Sequence, residues 1–175
     1  MRTTLLSIAI ALLCLPNVQA QDAKPEDVGS VDAILSAVYD VISGPANAPI
    51  DWDRFYTLFL PEARLIPIVR DSTGTPTYFS WTPKEFVERN REAFHRNAFF
   101  EIEIDRKAER YGNMAHVFST YESYRSPEKD AEPIARGINS FQLLYKDNRW
   151  WVLTIFWQPE WSGLPIPDEY LPDGE

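Results

Sequence analysis

Thiols are almost missing from this chain. Cys14 is its only cysteine among 175 residues, so the fold cannot rest on an internal disulfide or a cysteine-ligated metal. Histidine is nearly as scarce, with two. His95 shares a helical face with Glu88 and Glu92, but one imidazole without a second Glu-x-x-His pair reads as a solvated charged face rather than a metal site. Glycine occurs seven times. There is no Gly-rich phosphate cradle and no G-x-S-x-G elbow, which removes the sequence case for a nucleotide-binding loop or a serine hydrolase. Basic charge is also short, with 17 Lys and Arg against 26 Asp and Glu. Such a chain is a poor match for nucleic acid or an anionic membrane surface, and nothing in it calls for a cofactor. Long apolar runs are confined to the N-terminus.

That run, residues 5–15, is too short to cross a bilayer as a stable helix. Arg2 precedes it, Pro16 and Asn17 break it, and Val18-Gln19-Ala20 puts small residues at the two positions a signal peptidase reads. Residues 1–20 therefore read as a signal peptide cleaved after Ala20, and the protein as periplasmic or secreted. A lipid anchor on Cys14 is the rival reading, weakened by the bulk of Leu13 where a small residue is usual. Cleavage leaves a mature chain without thiols, which excludes cysteine catalysis. With Arg2 gone, 16 basic side chains face 26 acidic ones, a net charge of −10. One domain's length remains, and aromatics, 14% of the whole chain, supply a core without crosslinks.

Residues 21–29 are polar and read as a flexible N-terminus. Val31, Ile34, Leu35, Val38, Val41 and Ile42 then follow helical spacing, opened by Ser30 as N-cap and closed by Gly44-Pro45. Asp51 caps a short helix carrying Trp52, Phe55, Leu58 and Phe59, which Pro61 ends. Residues 63–69 read as a strand, 71–76 as a turn and 77–81 as the returning partner. Thr82-Pro83-Lys84-Glu85 is a complete helix start, with cap, Pro at the first position and Glu three residues after the cap. Phe100, Ile102 and Ile104 alternate with Glu101, Glu103 and Asp105, the pattern of a strand with its apolar side buried. Gly112-Asn113 turns the chain into a strand over 114–125. A polar loop follows at 126–133, and a long hairpin completes the domain, 30–158. The proline-rich acidic tail, 159–175, still carries Trp161, Leu164, Ile166, Tyr170 and Leu171, which predicts that it packs over a surface. Helices segregated from an antiparallel meander give an α+β fold.

This order of elements, with DWDRFYTLFLPEARLIPI (51–68), YGNMAHVFSTYESY (111–124) and RGINSFQLLYKDNRWWVLTIFW (136–157), resembles the nuclear transport factor 2-like superfamily, the SnoaL-like and ketosteroid isomerase-like cone fold. The resemblance spans residues 28–158. It implies N-terminal helices packed in a strongly curved, mostly antiparallel sheet. A pocket opens between them, and the outer sheet face often makes a homodimer. It is specific for fold and weak for function, because that fold hosts isomerases, dehydratases, epoxide hydrolases, polyketide cyclases and many non-enzymes.

The hairpin register decides which side chains share a face. A three-residue loop, Lys146-Asp147-Asn148, pairs Leu143 with Trp151, Phe141 with Leu153 and Asn139 with Ile155. A two-residue loop, Asp147-Asn148, pairs Asn139 with Phe156 and Phe141 with Thr154. The first is the register expected. It gathers Phe141, Leu143, Trp151, Leu153, Ile155 and Trp157 on one apolar face and leaves Gln142, Leu144, Trp150 and Val152 outside. Asn139 then stands on an aromatic wall, either to orient a ligand or to satisfy backbone groups at a bulge. On the preceding strand Ser119 and Tyr121 share a face with Ala115, Val117 and Ser123 and are expected in the cavity, with a core role as the alternative for Tyr121. Ser119, Tyr121, Asn139, Phe141 and Trp157 are thus the candidate ligand-binding residues. Arg136 is expected in a surface salt bridge with Glu132 or Glu128.

No catalytic residue is assigned. Ser119, Tyr121 and Asn139 position or polarise better than they abstract protons, and Asp53 or His116 serves as a base only if the faces differ from those expected. The function expected first is an exported domain that binds a small apolar or amphipathic molecule in an aromatic-lined pocket. The alternative is a lyase or isomerase using general acid/base chemistry on a small cyclic or hydroxylated substrate. It requires an ionisable side chain deep in the cavity with a perturbed pKa. A dimeric scaffold is the third reading.

Overall fold

The computed structural model describes residues 22–128 and 131–172; the signal peptide expected at 1–20 lies outside them. Helices α1 (Pro25–Val28), α2 (Val31–Ile42) and α3 (Trp52–Leu58) lead. Strand β1 (Phe59–Arg70) and the short β2 (Pro76–Tyr78) precede α4 (Pro83–Arg96). Four long strands follow: β3 (Phe100–Tyr111), β4 (Met114–Tyr124), β5 (Ala135–Lys146) and β6 (Arg149–Pro159). They form one open, mixed sheet in the order β2-β1-β6-β5-β4-β3, antiparallel at every contact except β1 with β6. The fold is α+β, with the helices gathered on one face of the sheet.

The helix starts follow from their caps. Ser30 Oγ accepts from Ala33 N at 3.0 Å, and Asp51 Oδ1 accepts from Arg54 N at 2.9 Å. Thr82 and Glu85 bond each other's backbone N–H groups at 3.2 and 2.8 Å, closing the capping box. Each such cap stabilises by about 1 kcal/mol. The apolar stripes of α2 and α3 then bury Ile34, Leu35, Phe55 and Leu58 against Val117, Phe141 and Val152 of the sheet.

Within the segment expected to be flexible, residues 22–29 are ordered by helix and core contacts. Pro25 opens a helical turn, and Val28 enters the core. Buried Asp27 takes two charge-assisted bonds from Arg54, at 2.8 and 2.9 Å, while Arg54 also reaches Asp40. One guanidinium thus ties α1, α2 and α3 together, and it holds the Asp27 carboxyl below its ordinary range. Pro61 does not interrupt the chain either. Strand β1 already begins at Phe59, and the register shift between Phe59 and Arg64 accommodates the missing N–H.

The β5–β6 hairpin follows neither expected register throughout. Its turn has two residues, Asp147 and Asn148, both left-handed with φ of 55° and 59°, which is type I′ geometry. Pairing from the turn runs Lys146 with Arg149, Tyr145 with Trp150 and Leu143 with Val152, then shifts to Gln142 with Thr154, Phe141 with Ile155 and Asn139 with Trp157. Leu153 is the extra residue. A bulge reverses which side chains face inward. Trp150 and Val152, expected outside, are therefore 2% and 0% exposed, and Leu153, expected inside, is 38% exposed. Ile155 and Trp157 still face the helices because the bulge has been passed.

The tail turns back across the outer sheet face. Ile166 is buried there, and Thr120 Oγ1 donates to Tyr170 O at 2.6 Å. Arg136 pairs with Glu160 at 3.0 Å, because the end of β6 delivers Glu160 beside the start of β5.

Candidate functional site

Strand β3 presents its acidic side to the interior. Glu101 pairs across the ladder with Ser123, and Glu103 with Tyr121. Ser123 and Tyr121 face the helices, so both carboxylates do too, while Ile102 on the opposite side is 49% exposed. This reverses the expectation that Phe100, Ile102 and Ile104 are the buried set. Strict alternation reads the same from either face, and here the interior holds partners for carboxylates. Ser123 Oγ donates to Glu101 Oε2 at 2.9 Å, and Asn139 Nδ2 to Glu101 Oε1 at 3.5 Å. Arg106 forks onto both oxygens of Glu103. Past the register shift between Glu103 and Asp105, Arg106 also reaches Asp32 at the surface, at 2.6 Å. At the edge of the sheet, the Ser43 hydroxyl accepts from Glu101 N at 3.0 Å, pinning the strand where Glu101 enters.

Between this wall and the helices lies a cavity of about 210 Å³. Val38 and Ile42 of α2, Phe55 of α3 and Phe86 and Phe94 of α4 line the helical side. Phe141, Ile155 and Trp157 line the sheet side. Its polar groups are Glu101, Asn139 and Asn90, and Asn90 Nδ2 already donates to Phe86 O at 2.8 Å. The cavity is a mostly apolar chamber with a few convergent polar groups, the usual composition of a small-molecule site.

Burial dominates the electrostatics at its polar end. Removal from water pushes the Glu101 carboxyl up to about 7, against which the bonds from Ser123 and Asn139 pull only in part. Glu103 is also raised by burial, but the Arg106 guanidinium opposes that rise. The two carboxyls of one strand therefore differ in kind: Glu103 is ion-paired, and Glu101 has no cationic partner among the described residues. Behind them Tyr39 Oη and Ser119 Oγ meet at 2.6 Å, and Asn139 Nδ2 donates to Tyr39 Oη at 3.1 Å. Burial also raises the Tyr39 hydroxyl well above its ordinary value, so it acts as a neutral hydrogen-bonding group.

Asn139, Phe141 and Trp157 all border the cavity. Ser119 and Tyr121, expected beside them, are buried but do not line it. Ser119 serves the Tyr39 hydroxyl. The Tyr121 hydroxyl occupies space that only Gly137 leaves open, since a Cβ there would lie 2.7 Å from it. Asp53 is exposed on α3, and His116 sits on the outer face against Gln142, so neither is the interior base. Glu101 is the carboxyl that borders the cavity. The clue available in the sequence was Ser123, which shares the inward face of β4 and needed only the β3–β4 register to find its partner.

No known family profile matches the chain, and no curated protein matches it by sequence. Solved structures do. A candidate dehydratase of the NTF2-like family from Streptomyces avermitilis gives a TM-score of 0.56 at 12% identity, covering 77% of this chain and 96% of that one. The β subunit of a candidate aromatic-ring-hydroxylating dioxygenase from Novosphingobium aromaticivorans gives 0.56 at 12% identity, covering 78% and 90%. A protein of unknown function from Mycobacterium tuberculosis gives 0.57 at 12% identity, covering 79% and 75%. At these identities the likeness shows the fold alone: an α+β domain with the fold of these NTF2-like structures. It leaves activity to be argued from the site.

Proposed function

We propose that the protein is an acid/base enzyme, a lyase or isomerase, that uses Glu101 to move a proton on a small cyclic or hydroxylated molecule held in the aromatic cavity. The observation that carries this reading is one carboxyl, without a cationic partner among the described residues, at the polar end of an apolar chamber, with its pKa pushed to about 7. A group poised there is present as both acid and base near neutral pH, the condition under which one side chain can take a proton and return it. As carboxylate, Glu101 removes a proton from carbon or hydroxyl. As carboxylic acid it delivers that proton to a second position of the same molecule in an isomerisation, or to a departing hydroxyl in an elimination. Asn139 and Ser123 hold the carboxyl in place. Simple ligand storage shares the cavity but gives Glu101 no task, and burying an unpaired carboxyl is unfavourable.

The test is deuterium incorporation in D2O from a panel of small cyclic ketones and β-hydroxyketones. The unmodified protein is expected to exchange the acidic C–H of at least one probe along a pH limb near 7, and Glu101→Gln to lose that exchange by about 10²-fold or more. Equal rates for the two proteins sink the proposal. The signal peptide expected at 1–20 supports an activity outside the cytoplasm. The exposed Leu153 and Phe156 on the outer face support a homodimer.

A further inference from the structure

Asn139 fixes what the cavity can hold. Its side chain is almost fully buried, and both amide N–H bonds are committed, to Tyr39 Oη at 3.1 Å and to Glu101 Oε1 at 3.5 Å. Its Nδ2 faces both Tyr39 Oη and Glu101 Oε1. A turned amide would set its oxygen against the Glu101 carboxylate. The orientation of the amide is thereby determined, and Asn139 Oδ1 is left over. Among the described residues it has no partner. It is not a sealed orphan either, because the one sealed side-chain atom without a hydrogen-bond partner among those residues is Asp105 Oδ2. Asn139 borders the cavity, so this carbonyl oxygen is an open acceptor on its wall.

The polar end of the cavity therefore offers two oxygens side by side: an obligate acceptor on Asn139, and a carboxyl on Glu101 that donates or accepts with its protonation state. We propose that the occupant is a small neutral ring that presents an N–H or O–H to Asn139 Oδ1 and, next to it, a carbonyl or hydroxyl oxygen to Glu101, as the edge of a cyclic amide or a hydroxy-carbonyl does. This rests on Glu101 and its cavity being the working site. Two carboxylates within the same network disfavour an anionic occupant. The volume, about 210 Å³, lies below the roughly 300–1,000 Å³ that takes drug-sized molecules, which limits the occupant to a single ring or a short chain.

Matched probes test this on the unmodified protein. δ-Valerolactam has both halves of the edge, whereas δ-valerolactone and N-methyl-δ-valerolactam keep the carbonyl and lose the donor. Ligand-observed NMR titrations below neutral pH are expected to show the lactam binding about tenfold or more tightly than either relative, since the probes without the donor leave a buried acceptor unpaired. Asn139→Ala is expected to erase the difference. Equal affinity for lactam and lactone, or no lactam binding at all, overturns the donor assignment. The underlying reading fails separately, if the Glu101 carboxyl titrates at the ordinary 4.5 whatever binds beside it.

Discussion

Replacing Glu101 by Gln should make the protein more stable, and only at one end of the pH scale. Burial raises the Glu101 carboxyl from 4.5 to about 7. The folded chain therefore keeps a proton that the unfolded chain loses. Stability falls as pH rises through that window and is level on either side. At about 1.4 kcal/mol per pH unit, the rise is worth about 3 kcal/mol above neutrality. Glutamine has nearly the same shape, can still bond Ser123, and never ionises, so the variant escapes that loss. Urea or thermal unfolding of both proteins at about pH 3.5 and about pH 9 reads the difference. The two should be equally stable at the acid end. The variant should be ahead by about 3 kcal/mol at the alkaline end, or roughly 6–12 °C in Tm for a domain of this size. Parallel pH profiles would refute the reasoning, because they would mean that the Glu101 carboxylate is solvated in the folded state. Gained stability coupled to lost proton exchange is the mark of a residue held in place for function rather than for the fold.

Other outcomes follow from the packing. Phe141 is fully buried between helices and cavity, so Phe141→Ala should lower stability by about 3–5 kcal/mol in urea unfolding, and a loss under about 1 would contradict its place in the core. Gly137→Ala would set a Cβ 2.5 Å from Gln158 O and 2.7 Å from Tyr121 Oη. It should destabilise by about 1–3 kcal/mol, and a neutral effect would show that Tyr121 is not seated there. Thr82→Ala breaks the capping box of α4 and should cost about 1 kcal/mol by the same assay. Light scattering of the mature chain should report a dimer, and a monomer at all concentrations would rule out the outer face as a self-association surface.

The helices were legible because their signals are local. Ser30, Asp51 and Thr82 each act within three residues of chain, and the sequence names them directly. Candidate pocket residues were legible in part. Asn139, Phe141 and Trp157 reach the cavity because alternation holds along that part of the hairpin. Alternation failed at Leu153, where one extra residue flips the faces and puts Trp150 and Val152 inside. No composition marks such a residue, since Leu suits either face. Glu101 was hidden for a different reason. Burial of a carboxylate is decided by Ser123 and Asn139, which lie 22 and 38 residues away along the chain, and periodicity alone favours the apolar face of the same strand. The tail was legible as a packing segment from its apolar residues, but not that Thr120 and Tyr170 would anchor it.

The most direct measurement is the titration of Glu101 itself. 13C NMR of the side-chain carboxyls, with Glu101→Gln to assign the resonance, gives its midpoint without reference to any substrate. The account predicts a midpoint near 7, set apart from the ordinary glutamates at 4.5, and a further rise when Ser123→Ala removes the bond that lowers it. A midpoint at 4.5 would contradict the account, for then the group at the polar end of the cavity would be a permanent anion with no proton to give.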